Sequence, residues 1–300
     1  GSRNTLIGNY AAGVTSNPNA NPVLGADNVI IGTYSAFQLQ TGSFNIVIGS
    51  GDSTVGGAGY NLTSGNYNLL TGYRAGRNIT TGSFNVLMGA NSGASISKSS
   101  RNLIIGNEAA KLLGITDTVT PSNDNMIFGN YAASNCTTGN KLLIIGSSAG
   151  YKCTSGENSV IIGNEAGYSN ETGIENIFIG NFAGNKNMLS QNTMVGTSAG
   201  RYTSNASQNT YFGYETGYGD SAVLSINTGS QNTAFGYKAG RLITSGYQNV
   251  YLGYEAGQNN SLGYKNIAIG PRAGQNSNTY NSIFIGSSQT DTEGIGIGSQ

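Results

Sequence analysis

The residues that could do chemistry are few in this chain, and their spacing favours structure over catalysis. The sequence holds no His, which removes the usual general base, the Ser-His and Cys-His nucleophile pairs and most catalytic metal sites. Carboxylates and basic residues share one spacing, two residues after a recurring glycine: Glu108, Glu165, Glu215, Lys238, Glu255 and Arg272. The last four alternate in sign, which is typical of surface pairing rather than of a catalytic acid and base. We therefore expect no enzyme activity, no cofactor and no metal site.

Three tyrosines are the candidates for ligand contacts. Tyr214, Tyr237 and Tyr254 each follow the recurring glycine directly, next to the charged positions. A row of exposed aromatic rings suits sugar binding, because Tyr combines an apolar face with a polar tip. The same row would also stiffen the fold by stacking Tyr on Tyr. The sequence favours stiffening and leaves ligand binding as the alternative.

The glycine behind these spacings recurs from one end of the chain to the other. It belongs to the phrase Asn, three mostly apolar residues, Gly, two polar residues and Ala-Gly, as in residues 176–184. Most copies lie 17 residues apart, with two spacings of 16 and four of 23 or 24. A fixed period of this kind indicates one supersecondary unit stacked on itself. The glycines are Gly8, Gly32, Gly49, Gly72, Gly89, Gly106, Gly129, Gly146, Gly163, Gly180, Gly196, Gly213, Gly236, Gly253, Gly270 and Gly286.

Each repeat is predicted to be one rung of a β-solenoid. Three apolar, often β-branched residues followed by Gly indicate a very short strand, and 47 glycines without an apolar run at helical spacing argue against helix. The glycine marks a first corner, and Thr-Thr-Gly or Thr-Ser-Gly half a period later marks the opposite corner. The Asn before each strand should stack on its equivalents as an amide ladder. The fold class is all-β, a parallel β-solenoid or β-roll of about sixteen 17-residue rungs.

The middle strand residue suggests that a second chain is needed. Alternate strand residues face opposite ways, so a coil that is apolar at all three positions would have both faces covered, one by its own interior and one from outside. We predict that the middle column packs against further copies of the chain. Its members are Ile30, Val47, Leu87, Ile104, Ile127, Ile144, Ile161 and Phe178.

The two cysteines occupy equivalent positions. Cys136 and Cys153 lie 17 residues apart, each seven residues after a recurring glycine. On adjacent rungs their Cα atoms would be separated by about the strand spacing of 4.8 Å, which a disulfide accepts. The spacing permits a bridge and equally permits two stacked free thiols.

The amino-acid composition excludes some classes of binding partner. Lys plus Arg and Asp plus Glu total 14 each, and only 9% of residues are charged, which argues against nucleic acid and against a membrane surface. No run is long enough to span a membrane and no signal peptide is present, so we expect a soluble chain. Gly1-Ser2 is typical of a cloning scar, and residues 3–300 are expected to form one elongated domain. The longer spacings place insertions near residues 13–27, 50–65, 111–123 and 218–229, all expected at the same edge.

The repeat resembles two kinds of trimeric fibre. The phrase in residues 266–274, Asn-Ile-Ala-Ile-Gly-Pro-Arg-Ala-Gly, is similar to the head repeats of YadA-type trimeric autotransporter adhesins and to repeats in bacteriophage tail fibres, and the similarity covers nearly the whole chain. The resemblance implies a left-handed β-roll, a homotrimer and adhesion to surfaces. This repeat is longer than the usual one in that family, and neither a coiled-coil stalk nor a membrane barrel is recognisable.

The sequence thus favours a structural or adhesive segment, a rigid trimeric rod or head that presents loops to a cell-surface receptor or glycan. The expected setting is extracellular, on a bacterial surface or a virion tail fibre. A monomeric ice-binding-like solenoid is one alternative, although Leu189 and Asn205 interrupt the flat Thr array that it would need. A glycan-degrading fibre enzyme is the other, and it would need paired acids at a cleft.

Overall fold

The computed structural model describes residues 3–13, 25–115, 121–219 and 228–287. In these ranges the chain is an all-β parallel β-solenoid of about 14 turns with rungs of about 17 residues, which confirms the predicted architecture at this level. The chain divides into two compact units, Gly1–Glu157 and Asn158–Gln300, and the repeat runs through both. No helix in the described ranges has the length and apolar character needed to cross a bilayer.

The described residues of the first unit form ten three-residue strands. Eight of them pair in parallel and in register, each with its equivalent on the next rung. Strands β8 and β10 form a separate two-stranded parallel sheet at the second corner. The strands are β1 Thr5–Ile7, β2 Val29–Ile31, β3 Ile46–Ile48, β4 Leu69–Thr71, β5 Val86–Met88, β6 Leu103–Ile105, β7 Met126–Phe128, β8 Thr138–Asn140, β9 Leu143–Ile145 and β10 Ser155–Glu157.

Eight strands with the same parallel, in-register pairing lie in the described part of the second unit. They are β11 Val160–Ile162, β12 Ile177–Ile179, β13 Thr193–Val195, β14 Thr210–Phe212, β15 Thr233–Phe235, β16 Val250–Leu252, β17 Ile267–Ile269 and β18 Ile283–Ile285.

Close approach between rungs explains the recurring glycine. Gly72 has φ 128, and a Cβ on it would lie 2.7 Å from the carbonyl oxygen of Gly89 on the next rung. The Gly of the Ala-Gly pair is required for a different reason. Gly76 has φ 55, and a Cβ added to it would lie 2.8 Å from a methyl group of Leu87. The first glycine therefore lets two backbones approach, and the second makes room for a core side chain.

The middle strand residues face the interior, contrary to the sequence prediction. Their relative exposure is 0% in Ile30, Val47, Leu87, Ile104, Ile127, Ile144 and Phe178, and 2% in Ile161. The assignment of this column to an interface between chains was wrong, because a single coil already encloses it. The prediction placed the middle residues on the outer face, whereas they lie on the inner one. The first and third strand positions point outward instead.

The predicted amide ladder is present along the inner edge of the strands. The Oδ1 of Asn68 accepts hydrogen bonds from the backbone N–H of Asn85 (3.0 Å) and from its side-chain amide (3.1 Å). The same amide also donates to the carbonyl of Ser99 at the second corner, at 3.0 Å. Each such Asn thus links the preceding rung, through its ladder Asn, to the second corner of the following rung. Asn28 belongs to the same ladder.

The sequence predicted that all four insertions leave from the same edge, and the structure differs from that prediction. In the first unit the 50–65 insertion enters at the first corner, before Ala58-Gly59. Gly59 N–H donates to Ala75 O on the next rung, just as Gly76 N–H donates to Ser92 O one rung further on, so Gly59 is the equivalent of Gly76. The 13–27, 111–123 and 218–229 insertions enter later in their rungs, toward the second corner. Residues 14–24, 116–120 and 220–227 of these three lie outside the described residues.

Replacing Ile161 by Asp is predicted to prevent folding of the second unit. An unpaired carboxylate in the closed coil costs several kcal/mol, which is comparable with the stability of a typical domain. Circular dichroism and solubility would measure the loss. Ile162→Asp is the matched control, since the neighbouring side chain points outward and should leave the fold intact. A well-folded Ile161→Asp protein would contradict the interior assignment.

Removing one rung of the ladder is predicted to destabilise the first unit. Asn85→Ala deletes hydrogen bonds to both neighbouring rungs and leaves buried backbone groups unpaired, at a cost of about 3 kcal/mol. Asn61→Ala, which removes a single half-buried side-chain pair with Asn78, should cost less than about 1 kcal/mol. Urea unfolding compares the two, and equal midpoints would show that the ladder contributes little.

Candidate binding surfaces

The outer face of the strands is a largely apolar surface in each unit, with threonines at Thr5 and Thr71 in the first unit and at Thr193, Thr210 and Thr233 in the second. It is formed by the first and third residues of every in-register strand, and no charged residue occupies these positions. Many of the side chains are substantially exposed: Ile7, Ile46, Ile48, Met88, Met126 and Ile145 in the first unit, and Ile177, Phe212, Phe235, Val250, Leu252, Ile267, Ile269 and Ile285 in the second. Soluble monomers rarely expose apolar patches of more than a few hundred Å², so this face is a candidate interface.

The three candidate tyrosines form one stack in the second unit. Ring centroids lie 5.3 Å apart between Tyr214 and Tyr237 and 5.4 Å apart between Tyr237 and Tyr254, with interplanar angles of 9° and 6°. Lys238 lies 4.8 Å from the Tyr237 centroid. Because the rings cover one another's faces, an approaching ligand meets mainly their edges and hydroxyl groups. This geometry matches the stiffening role and limits face-on sugar stacking.

The charges beside this stack are arranged as ion pairs. Glu215 lies 2.8 Å from Arg241 and 4.0 Å from Lys238, and Glu255 lies 2.9 Å from Arg272. Burial acts to raise the pKa of Glu215, but hydrogen bonds from Arg241 and Tyr214 outweigh it, and the net pKa lies below the ordinary value. Glu215 is therefore held in its charged form by neighbouring cations. The alternation of charge predicted from the sequence is present as local pairing.

A second exposed column lies just before the strands, and the sequence analysis did not identify it. In the first unit Phe44, Tyr67 and Phe84 stack with centroids 4.9 and 5.0 Å apart, beside the apolar face. These residues adopt positive φ angles of 57 to 59, which directs their side chains outward at the corner. The sequence contains a pattern that could have predicted this column, because each of these aromatic residues directly precedes an Asn of the ladder.

The same column in the second unit carries a glutamine ladder, formed by Gln191, Gln208, Gln231 and Gln248. Each side-chain amide donates to the Oε1 of the preceding glutamine, at 3.1 to 3.3 Å. The first member, Gln191, donates to the carboxylate of Glu175 at 3.1 Å. All donors thus point the same way along the column.

The cysteines are stacked as predicted, and both are free thiols. The Sγ atoms of Cys136 and Cys153 lie 3.2 Å apart in the interior of the first unit. The hydrogen bond with Cys153, followed by burial, raises the pKa of Cys136. The pair therefore has the proximity for a disulfide but is shielded from solvent.

The described residues form no metal site. In the ranges that the structure describes, no group of three or more His, Cys, Asp or Glu side chains could hold a metal ion. The carboxylate of Asp52 accepts hydrogen bonds from Thr54 and Val55 within its own loop.

No family model, no curated protein and no solved structure matches this chain.

Oxidation of the cysteine pair is predicted to be intramolecular and slow. With the diazene oxidant diamide, the two thiols lose two protons and two electrons, a sulfur–sulfur bond forms, and the diazene is reduced to a hydrazine. Intact-mass measurement should record the loss of two hydrogen atoms, reversed by dithiothreitol, and faster in urea than in buffer because the thiols are buried. Cys153→Ser is the control. An unchanged mass under conditions that oxidise the unfolded chain would contradict the prediction.

Proposed function

We propose that this chain is a structural and adhesive segment that forms a rigid homotrimeric fibre. The observation that carries the proposal is the largely apolar outer face of the strands in each unit. Such a surface needs a cover in water, because exposed apolar area costs about 25 cal/mol per Å² relative to burial. The interface thus consists of the first and third strand positions, in place of the interior column.

A second copy of the chain is the partner that fits this face best. The exposed side chains repeat at the spacing of stacked strands, roughly 4.8 Å, and another copy presents the same spacing, so the two surfaces can interlock along their length. Cyclic symmetry would bring the same face of every copy to one axis. The number three and a left-handed coil come from the resemblance to YadA-type heads and phage fibres.

The polar remainder of each rung suits contact with solvent and with a receptor. Among the described residues, the charged pairs and the Tyr214 stack lie outside the strand positions that form the apolar face, so an assembly through that face would leave them accessible. Loops on a rigid scaffold are where ligand contacts tend to be placed. We infer a receptor or glycan on another cell's surface as the target, and an extracellular setting on a bacterial cell or a virion tail fibre.

Neither alternative is favoured by a specific observation. The second-corner threonines bond to the next rung: the hydroxyl of Thr80 donates to Ser97 O at 3.3 Å and that of Thr244 to Ser261 O at 3.1 Å. Hydroxyls used in this way form no free array for ice. For glycan hydrolysis, the acids Glu215 and Glu255 are each paired with a cation, which favours structural pairing over the acid and base that hydrolysis would need.

The interface is tested by charging the outer face. The double variant Ile267→Asp with Ile269→Asp is expected to remain folded and to become monomeric, because both side chains are exposed in the single chain and adjacent carboxylates would repel their equivalents on other copies. Light scattering on a sizing column measures the mass, with three chain masses expected for the wild type.

The matched control places two charges on the polar side of the same unit. Asn276 and Asn278 are exposed, so Asn276→Asp with Asn278→Asp should leave the trimer intact. A monomeric wild type, or a trimer that persists in the Ile267 and Ile269 double variant, would overturn the proposed interface.

A further inference from the structure

The glutamine ladder of the second unit belongs to a column with opposite charges at its two ends. We call this set the corner column, and each member lies two residues before a strand that pairs with the next in register. The residue directly before each member belongs to a second column, which we call the flanking column. The corner column consists of Glu175, Gln191, Gln208, Gln231, Gln248 and Lys265, and the flanking column of Ile174, Ser190, Ser207, Ser230, Tyr247 and Tyr264.

The glutamines of the corner column can form further hydrogen bonds with a partner. All four have exposed side chains and φ angles of 58 to 62. Each amide donates one N–H along the column, at 3.1 to 3.3 Å. Because a primary amide has two N–H groups and an oxygen with two lone pairs, one N–H of every ladder glutamine remains for a group outside the column.

The charges at the two ends of the corner column cannot neutralise each other within one chain. Glu175 and Lys265 are both exposed, and within the described ranges neither is part of an ion pair. Five rung intervals separate them, which amounts to roughly 24 Å at the strand spacing. A partner that matches both ends therefore needs a cation and an anion at the same separation.

We propose that a second copy of this chain docks antiparallel on these two columns, about a two-fold axis between the rungs of Gln208 and Gln231. A two-fold interface is self-complementary, and this axis places Glu175 opposite the partner's Lys265 at both ends, with glutamine opposite glutamine between them. A parallel copy would oppose like charges at each end. A partner of uniform charge would match one end and be repelled by the other.

The same axis also matches the flanking column. It places Tyr247, which is 40% exposed, opposite the partner's Ser190, where a small residue leaves room for the ring. At the ends of the column it brings Ile174, 37% exposed, against the partner's Tyr264. Tyr247 and Tyr264 stack with centroids 4.9 Å apart at 2°, so both rings already have fixed positions before docking.

The pairing uses no strand position, so it does not depend on the proposed trimer and would join fibres side by side where the trimer forms. Exposed charge pairs contribute little each, so the association is weak. Sedimentation velocity of the full chain at low salt should show a heavier species that grows with concentration and dissociates as salt rises. Lys265→Glu turns attraction into repulsion at both ends and should weaken the pairing roughly tenfold.

Matched variants separate this pairing from a general effect of charge. Lys186 is exposed in the same unit and lies outside both columns, so Lys186→Glu makes an equal change in net charge and should leave the pairing unchanged. Glu175→Lys should not pair with itself. An equal mixture of Glu175→Lys and Lys265→Glu should recover the heavier species, because opposite charges again face each other at both ends.

Photochemical cross-linking tests the orientation. With p-benzoylphenylalanine in place of Tyr247, the cross-link to a second copy should fall on the segment around the partner's Ser190, identified by peptide mass. A cross-link to the partner's own segment around position 247 would show a parallel arrangement and overturn the proposal.

The mass of the species distinguishes failure of this inference from failure of the fibre. A wild type of three chain masses with no heavier species, equal losses in Lys265→Glu and Lys186→Glu, or undiminished pairing in Lys265→Glu would overturn the antiparallel pairing and leave the trimer. A wild type that passes from one to two chain masses, with the effects expected for the variants, would support the pairing and refute the trimer.

Discussion

Every rung of this protein meets a near copy of itself, and that constraint governs the choice of residue at almost every position. Parallel, in-register pairing places each side chain over its equivalent. A residue type is stable in such a column only if it can bond or pack with its own kind, as Asn, Gln, Tyr and β-branched residues can. Like charges cannot, so charged columns alternate or form pairs, as Arg101 does with Asp124 at 2.6 Å.

The constraint is maintained at a conformational cost. Two corner positions in most rungs hold non-glycine residues in the left-handed region, including Arg101 at φ 59, Gln208 at φ 59 and Glu215 at φ 50. Each such residue costs about 1 kcal/mol or more. The backbone bonds between rungs and the asparagine ladder offset that cost. The strain also has a use, because these positions carry the stack of Phe44, Tyr67 and Phe84 and the glutamine ladder.

The sequence predicted what depends on period, and it failed where orientation mattered. The 17-residue rung, the asparagine ladder and the stacked cysteines followed from spacing alone. The direction of the middle strand residue did not, since an apolar triplet such as Val160–Ile162 reads the same whichever face is interior.

The glutamine ladder gives the second unit a built-in electrical polarity. Because Gln191, Gln208, Gln231 and Gln248 all donate in the same direction, their amide dipoles add instead of cancelling, much as peptide dipoles add along a helix. The positive end of the row meets Glu175, and the next residue of the column beyond its negative end is Lys265. Both terminal charges thus have the sign that the row favours, and exchanging them would oppose every amide between them.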